Sequence, residues 1–364
     1  MFDYEDIIDA LEQGDAVLFI GPRLLVGEDG QPLERALYNA LDAHNENHDL
    51  IRTFYEDDGF FLLHEESYRR RLVRQIKQFY QEEHPAASAT LKKLARIPFP
   101  LIVSLNPDDL LPRAFEAESL PYHKDFYYLK HPFEDYVQGT RERPLLYGML
   151  GDLEKRESLV LTHKDLFNYL ESIFAGKSMA PELRTQIQEA RTFIFLGLPF
   201  EKWYMQLLLR VLYYISKRLS GLEQYASAPM AGEPHTIFKN EFNIQFVPEA
   251  GPAFVAELYE RCAEAGLLKE NGGGKEQGDK AMLNQARVDI GSDKIAGGLE
   301  KAKAVLERHR PKTNELYDRL FTLQQAYNDY RKDEKIGVSD EATRTRIVHN
   351  ILQLITDAEN LLGL

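Results

Sequence analysis

The residues best suited to chemistry follow an apolar run in the first third of the chain. Asn106, Asp108 and Asp109 come directly after Leu101–Ser104. A carboxamide and carboxylates at the end of a strand can orient a ribose or a water molecule. The same residues can also begin a helix, because asparagine before proline, followed by acidic residues, is a competent helix N-terminus. The residues alone leave both interpretations open.

Glycines follow two further apolar runs. Gly21 comes after Ala16–Ile20, and Gly197 comes after Thr192–Leu196. Loops that cradle phosphate need several glycines, because their backbone N–H groups must approach the anion closely. Gly21 is followed by Pro22, which has no N–H. This loop is therefore at least as typical of a structural turn as of a nucleotide-binding turn.

A third group of polar residues lies near position 160. Thr162 and Asp165 have the spacing of a capping box, in which each side chain bonds the backbone N–H of the other at a helix start. His163 lies between them, in the predicted first helical turn. We expect it at the surface.

Composition excludes several classes of function. The chain has 364 residues and a net charge of −14. Residues 284–364 hold 13 basic and 13 acidic side chains, so the excess negative charge lies in residues 1–283. Such a surface repels nucleic acid.

No run is apolar enough for a membrane span or a secretory signal. The single cysteine, Cys262, cannot form a zinc cluster or an intrachain disulfide, so we predict a cytoplasmic protein without a metal site.

Alternating strand and helix patterns organise the first 268 residues. Five short apolar runs predict strands at 16–20, 101–104, 159–161, 192–196 and 242–247. Helical periodicity is found at 3–12, 33–41, 66–83, 164–174, 201–219 and 253–268. This alternation predicts an α/β fold with a Rossmann-like, doubly wound parallel sheet. In such a sheet, ligands bind beyond the carboxyl ends of the strands.

The clearest boundary is the segment Asn271-Gly-Gly-Gly-Lys-Glu-Gln-Gly278. Four glycines in eight residues predict a flexible linker, which we place at 269–283. It separates a domain at 1–268 from a small all-α bundle at 284–364. Helical spacing in the bundle covers 295–308, 313–329 and 340–362, with a break at 336–339 and Ser339 as the expected N-cap of the last helix.

The order of these motifs resembles the bacterial sirtuin-like family. The chain reads Ile-Val-Ser-Leu-Asn-Pro-Asp-Asp-Leu-Leu, then Gly151 followed by Leu-Val-Leu-Thr, then Phe-Ile-Phe-Leu-Gly. The family typically reads Thr-Asn-Tyr-Asp-Asp-Leu-Leu, then Leu-His-Gly and Leu-Val-Leu-Thr, then Phe-Leu-Gly-Tyr-Ser. The resemblance covers residues 1–268 and implies a sirtuin-like fold that binds NAD or a related nucleotide.

The resemblance also implies site residues. Many family members cleave the nicotinamide–ribose bond of NAD with an asparagine and a histidine. The matching asparagine is Asn106, whereas the histidine falls on Leu150, which can neither accept a proton nor bond a ribose. Cofactor contacts map to Gly21, Asn106, Asp108 and Gly197, and the family's glycine-alanine-glycine turn is reduced at Gly21. This pattern is typical of a pseudoenzyme.

The bundle resembles effector-associated domains, small death-domain-like modules that pair with copies of themselves on partner proteins. The resemblance rests on Ile295–Ala302, on Tyr317–Tyr330 and on the turn at Gly337. It implies recruitment of a protein partner, or self-association, through residues 284–364. We expect Arg344 and Arg346 to take part in the contact. A bundle that packs only on its own first domain is the alternative.

Three functions remain open. The first is a non-catalytic sirtuin-like component of a bacterial anti-phage system, recruited through its C-terminal module. The second is an active effector that depletes NAD and uses Tyr147, His123 or His163 in place of the missing histidine. The third is a module that senses a nucleotide without cleaving it.

Overall fold

The chain divides into two compact units, 1–270 and 271–364. A computed structural model describes residues 4–128, 136–174, 180–216, 223–227, 233–269, 275–292, 294–310, 313–335 and 341–362. Over these ranges, no helix is both long and apolar enough to cross a membrane.

The first unit is built on a parallel sheet. Its strands are β1 (Ala16–Ile20), β4 (Leu101–Ser104), β5 (His123–Phe126), β6 (Leu145–Gly148), β7 (Thr192–Leu196), β8 (Glu223–Ser227) and β9 (Gln245–Val247). Among the described residues they form one seven-stranded sheet in the order β5-β6-β4-β1-β7-β8-β9. Every neighbouring pair is parallel. The predicted doubly wound sheet is therefore confirmed.

Helices cover both faces of the sheet. One face packs against α1 (Glu5–Gln13), α2 (Leu33–Ala40), α3 (Arg69–Gln81), α4 (Pro85–Arg96), α5 (Leu110–Ala117) and α10 (Gly251–Glu264). The other packs against α6 (His163–Phe174), α7 (Pro181–Glu189), α8 (Trp203–Ser216) and α9 (Glu233–Glu241). Strand β1 is apolar throughout because Leu18 enters the first core and Phe19 the second.

The predicted strand at 159–161 is wrong. Its side chains are buried, but Val160 N–H donates to the Leu150 carbonyl and the Leu161 carbonyl accepts from Phe61 N–H. The strand that pairs with β4 is instead β6. Burial made both segments apolar, and only the hydrogen-bond partners separate them. The strand predicted at 242–247 is confirmed only for Gln245–Val247.

Five strands have no counterpart in the prediction. Three are the sheet strands β5, β6 and β8. The other two, β2 (Ile51–Tyr55) and β3 (Phe60–Leu63), form an antiparallel hairpin separate from the main sheet.

The capping box is confirmed: Asp165 N–H donates to Thr162 Oγ1 at 3.1 Å, and Thr162 N–H donates to an Asp165 carboxylate oxygen at 3.0 Å.

The loops after β1 and β7 pack directly on each other. The chain leaves β1 toward β4 and leaves β7 toward β8, so the switch point of the sheet lies between them. A Cβ atom on Gly21 would lie 2.5 Å from the Gly197 carbonyl oxygen. A Cβ atom on Gly197 would lie 2.0 Å from the Leu24 nitrogen. These two glycines are required by close backbone packing.

The second unit is helical, with α11 (Lys275–Gly291), α12 (Ile295–Arg308), α13 (Asn314–Lys335) and α14 (Glu341–Leu362). The linker prediction is wrong for residues 275–283, which belong to α11. One glycine in a helix costs about 1 kcal/mol relative to alanine, and the surrounding Lys, Glu and Gln residues are good helix formers. The glycines at 272–274, the break at 336–339 and Ser339 lie outside the described residues.

Gly197→Ala tests the packing of the two loops. Gly197 has a φ of 67°, and a methyl group there meets backbone. We expect the free energy of unfolding to fall by about 2–5 kcal/mol, from the backbone conformation and the clash together. Gly30→Ala is the control, because Gly30 has a φ of 75° and open space around it. It should cost only about 1–2 kcal/mol. Urea unfolding followed by Trp203, the only tryptophan, measures both, and equal losses would contradict the packing argument.

Candidate functional site

A cavity opens at the carboxyl edge of the sheet. Its walls come from the loops after β1, β4, β6 and β7, from the β2–β3 hairpin and from helices α2, α3 and α8. The lining residues are Pro22, Glu34, Leu37, Tyr38, Asp58, Gly59, Phe60, Phe61, Ile76, Tyr80, Leu105, Asn106, Pro107, Leu150, Val160, Leu161, Pro199 and Tyr204. This is the edge at which a doubly wound sheet binds its ligands.

Asn106 is the polar side chain in this cavity that lacks a partner. It is buried, and neither Oδ1 nor Nδ2 has a hydrogen bond among the described residues. A buried amide without partners costs about 1–3 kcal/mol. The helix-cap interpretation of Asn106 is wrong, because α5 begins at Leu110 and its first N–H donates to Asp108 Oδ1 at 2.9 Å. The Asn106 carboxamide is therefore free to bond a ligand.

Asp108 lies two residues after Asn106 in the chain, and burial removes its carboxyl group from water. Its second carboxyl oxygen, Oδ2, is buried and has no hydrogen bond within the described part of the chain. Burial raises the pKa of this carboxyl to about 7, and the neighbouring Asp109 carboxylate acts in the same direction. The hydrogen bond from Leu110 N–H acts in the opposite direction and lowers the pKa. At neutral pH the group can thus exchange a proton.

The hairpin turn is fastened over the cavity by Lys202. The Lys202 ammonium is buried and lies 3.2 Å from the Asp58 carbonyl oxygen and 3.4 Å from Glu34 Oε1. Gly59 permits this approach: it has a φ of 76°, and a Cβ atom there would lie 2.9 Å from the ammonium. Tyr38 donates to Glu34 Oε1 at 2.7 Å. Burial and Glu34 raise the pKa of Tyr38 well above its usual value, so its phenol stays protonated.

Three residues were expected to replace the family's histidine: Tyr147, His123 and His163. Of these, only His163 lies close to the cavity. Its Nε2 lies 2.8 Å from an Asp58 carboxylate oxygen, and its ring packs against Phe60 in the cavity wall. Tyr147 is buried in the second core, where burial raises its pKa far above neutrality. His123 begins strand β5, so it lies toward the amino edge of the sheet, opposite the cavity.

The turn Gly21–Leu24, directly after β1, has no N–H group left for a phosphate. Gly21 N–H donates to the Leu196 carbonyl, Arg23 N–H to the Gly197 carbonyl and Leu24 N–H to the Gly21 carbonyl. Pro22 has none. Gly21 and Gly197, expected to contact a cofactor, are therefore placed together by loop packing, and neither lines the cavity. Asn106 lines the cavity, and Asp108 lies next to it in the chain.

The cavity is small. Its volume is about 90 Å³, against about 300–1,000 Å³ for typical ligand pockets. The unpartnered Asn106 amide fits a group that both donates and accepts hydrogen bonds, such as an amide or a ribose hydroxyl. The volume fits only part of a dinucleotide, so a whole nucleotide must extend beyond the cavity or displace the hairpin turn.

Comparison with known proteins bears on this site. Residues 100–247 match the family model of the SIR2-like domain. The match includes Asn106, Leu150 and Gly197 and ends with the last residue of β9. No curated protein matches the chain.

Two solved structures of Sir2 proteins are similar to this chain. One is a Sir2 variant with a deacetylated p53 peptide and 3'-O-acetyl ADP ribose: it is 14% identical, has a TM-score of 0.36, and the alignment covers 73% of this chain and 100% of that chain. The other comes from work on the mechanism and regulation of Sir2 enzymes: it is 15% identical, with a TM-score of 0.34, covering 73% and 99%.

Sequence reasoning missed the polar residues contributed by helices and by the hairpin. Glu34, Asp58 and Lys202 lie far apart in the sequence, and of the three only Lys202 lies in a loop that follows a strand of the main sheet, β7. A signal was present at Asp58-Gly59, a dipeptide typical of hairpin turns. Nothing in the sequence placed Lys202 beside it.

Asp108→Asn tests the environment of the Asp108 carboxyl. An unfolded aspartate titrates near about pH 3.9. Because the folded pKa is higher, at about 7, the folded state binds this proton more tightly, and stability falls as the pH rises between the two values. Asparagine keeps the acceptor for Leu110 without a charge. We expect the variant to be more stable than the wild type at about pH 8, by on the order of 2–4 kcal/mol, and equally stable below about pH 4.

Denaturant unfolding at several pH values measures this difference. The control is Asp109→Asn, because the Asp109 carboxylate is 35% exposed and paired with Arg113. The control should show no comparable gain at high pH. Identical pH profiles for the wild type and Asp108→Asn would contradict the assignment.

Proposed function

We propose that the first unit binds an NAD-class nucleotide at the cavity beside Asn106 without cleaving it, and that the second unit recruits the protein into a bacterial anti-phage system. The observation that carries the first part is the buried Asn106 carboxamide, whose donor and acceptor atoms have no partner among the described residues. Its place at the carboxyl end of β4 and the match of residues 100–247 to the SIR2-like domain support a nucleotide as the ligand.

Leu150 is the reason why we expect no cleavage of NAD. This half-buried leucine lines the cavity at the position where the resembling family carries its histidine. Leucine supplies no proton transfer, which typically contributes about 10²–10⁴-fold to a rate. His163 is the remaining candidate near the cavity, and its Nε2 is engaged by Asp58. The competing proposal, an effector that cleaves NAD, requires that imidazole to serve in place of the missing one.

Calorimetric titration of the full chain with NAD tests the first part. We expect saturable binding that weakens by about tenfold or more in Asn106→Ala, since two hydrogen bonds to the ligand are lost. The variant should fold, because it removes a buried amide that has no bond to lose. Asn39→Ala, an exposed asparagine of α2, is the matched control and should bind like the wild type.

Nicotinamide release separates the two proposals. We expect none above the uncatalysed level. Robust release that disappears in Asn106→Ala would overturn the non-catalytic proposal and favour the effector. Binding of NAD that is indifferent to Asn106→Ala would instead show that the ligand occupies another place.

Recruitment by the second unit is supported by its charge and surface. Residues 284–364 hold equal numbers of acidic and basic side chains, so two copies do not repel each other. Val288, Phe321 and Leu361 expose more than half of their surface, and Arg346 is exposed on the first turns of α14.

Light scattering of the full chain tests self-association. We expect an oligomer at low salt that weakens as salt rises, because exposed charges are screened. Arg346→Glu should shift the chain toward monomer. Lys332→Glu makes the same charge change on α13, where Lys332 is 76% exposed, and should have little effect. A monomer at every salt concentration would rule out self-association and leave only a separate partner, sought by pull-down.

A further inference from the structure

Six aromatic rings form a continuous strip beside the cavity. The aromatic strip consists of Tyr55, Phe60, His163, Phe167, Trp203 and Tyr204. Neighbouring ring centroids lie 4.7 Å apart for Tyr55 and His163, 5.1 Å for Phe60 and His163, and 5.3 Å for Phe60 and Tyr204. Trp203 lies 5.9 Å from Tyr204 and 6.1 Å from Phe167. The strip joins the hairpin, α6 and α8.

Both ends of the strip are exposed: Tyr55 lies at one end, and Trp203 and Phe167 lie at the other. Phe167 is 56% exposed, Trp203 41% and Tyr55 40%. Single exposed apolar side chains are ordinary, but contiguous ones mark binding surfaces. The Phe167 and Trp203 rings are tilted by only 32° to each other, so their planes are close to parallel. A planar ligand gains the most from such a surface.

The middle of the strip belongs to the cavity. Phe60 and Tyr204 line the cavity that holds Asn106, and Tyr204 also contacts the exposed ring of Trp203. Two carboxylates near the strip are paired: Glu201 accepts from Arg23, and Asp58 is bonded to His163. A ligand that extends out of the small cavity would therefore reach the rings without meeting an unpaired carboxylate at these two positions.

The exposed area of the strip favours a small molecule over a protein. Aromatic side chains bury about 150–250 Å² each, so the three partly exposed rings offer roughly 300 Å². A stable protein interface needs about 800 Å² on each partner. A nucleic acid strand is disfavoured by the acidic excess of residues 1–283. A single nucleotide satisfies both limits.

We propose that Trp203 and Phe167 bind the heteroaromatic base of a nucleotide by stacking, while the polar end of the same ligand occupies the cavity at Asn106. The inference rests on the proposed function, because it assigns the second half of the ligand that the cavity is too small to hold. Base–aromatic stacking does not depend on the identity of the base. The strip therefore sets the class of ligand, a nucleotide with a flat base, without selecting one base.

Trp203 reports on this contact directly, because it is the only tryptophan. The full chain is titrated with adenosine monophosphate, with NAD and with ribose 5-phosphate, which has no base. We expect the first two to quench Trp203 fluorescence to saturation and the third to leave it unchanged. Phe167→Leu removes one ring and should weaken the quenching by about tenfold. Phe321→Leu changes a phenylalanine of equal exposure, 57%, in the second unit and should have no effect.

Two fluorescence results would overturn the inference: fluorescence that no nucleotide changes, or quenching that is equal in the wild type and Phe167→Leu. Calorimetric titration with NAD distinguishes failure of the stacking proposal from failure of the proposed function. NAD binding that depends on Asn106 but leaves Trp203 fluorescence unchanged overturns the strip alone. Quenching by adenosine monophosphate that depends on Phe167, without NAD binding sensitive to Asn106, supports the strip and overturns the proposed function. A change in light scattering caused by Phe167→Leu would identify the strip as a contact between copies and overturn the inference.

Discussion

The contact between Gly21 and Gly197 constrains the whole carboxyl edge of the sheet. A Cβ atom on Gly21 would meet the Gly197 carbonyl oxygen, and a Cβ atom on Gly197 would meet the backbone of Leu24. The loop after β1 also donates two backbone hydrogen bonds to the chain at the end of β7. This packing lies at the switch point, where a doubly wound sheet ordinarily receives its ligand. Pro22 and Pro199, from the same two loops, line the neighbouring cavity, which extends to Asn106 at the end of β4.

The loop after β4 carries buried polar atoms that have no partner among the described residues. The reciprocal cap between Thr162 and Asp165, by contrast, is hydrogen-bonded on both sides. At the cavity, Asn106 lacks partners and Asp108 keeps one carboxyl oxygen unbonded. Local violations of this kind cost stability, and proteins retain them where they serve binding. The two large apolar cores on either face of the sheet supply the stability that tolerates them.

The second unit has one apolar core, whereas the first unit has two. Its core is a single apolar cluster between four helices. Helices α11 and α12 are further joined by Asp279, whose buried carboxylate pairs with Arg308 and His309. Such a cluster fixes the register of two helices, because removing one partner leaves a buried charge uncompensated.

The sequence by itself determined the fold class. Apolar runs at β1, β4 and β7, each buried on both faces, and amphipathic helices between them are sufficient for a doubly wound sheet. It also placed Asn106 at the ligand-binding edge, because residues that follow such strands must lie there. The tertiary structure alone decided that β6 rather than 159–161 pairs with β4, since both segments are equally buried and differ only in their hydrogen-bond partners. It alone brought Glu34, Asp58 and Lys202 together, because contacts between residues far apart in the chain depend on how helices and a hairpin pack, which local periodicity does not encode.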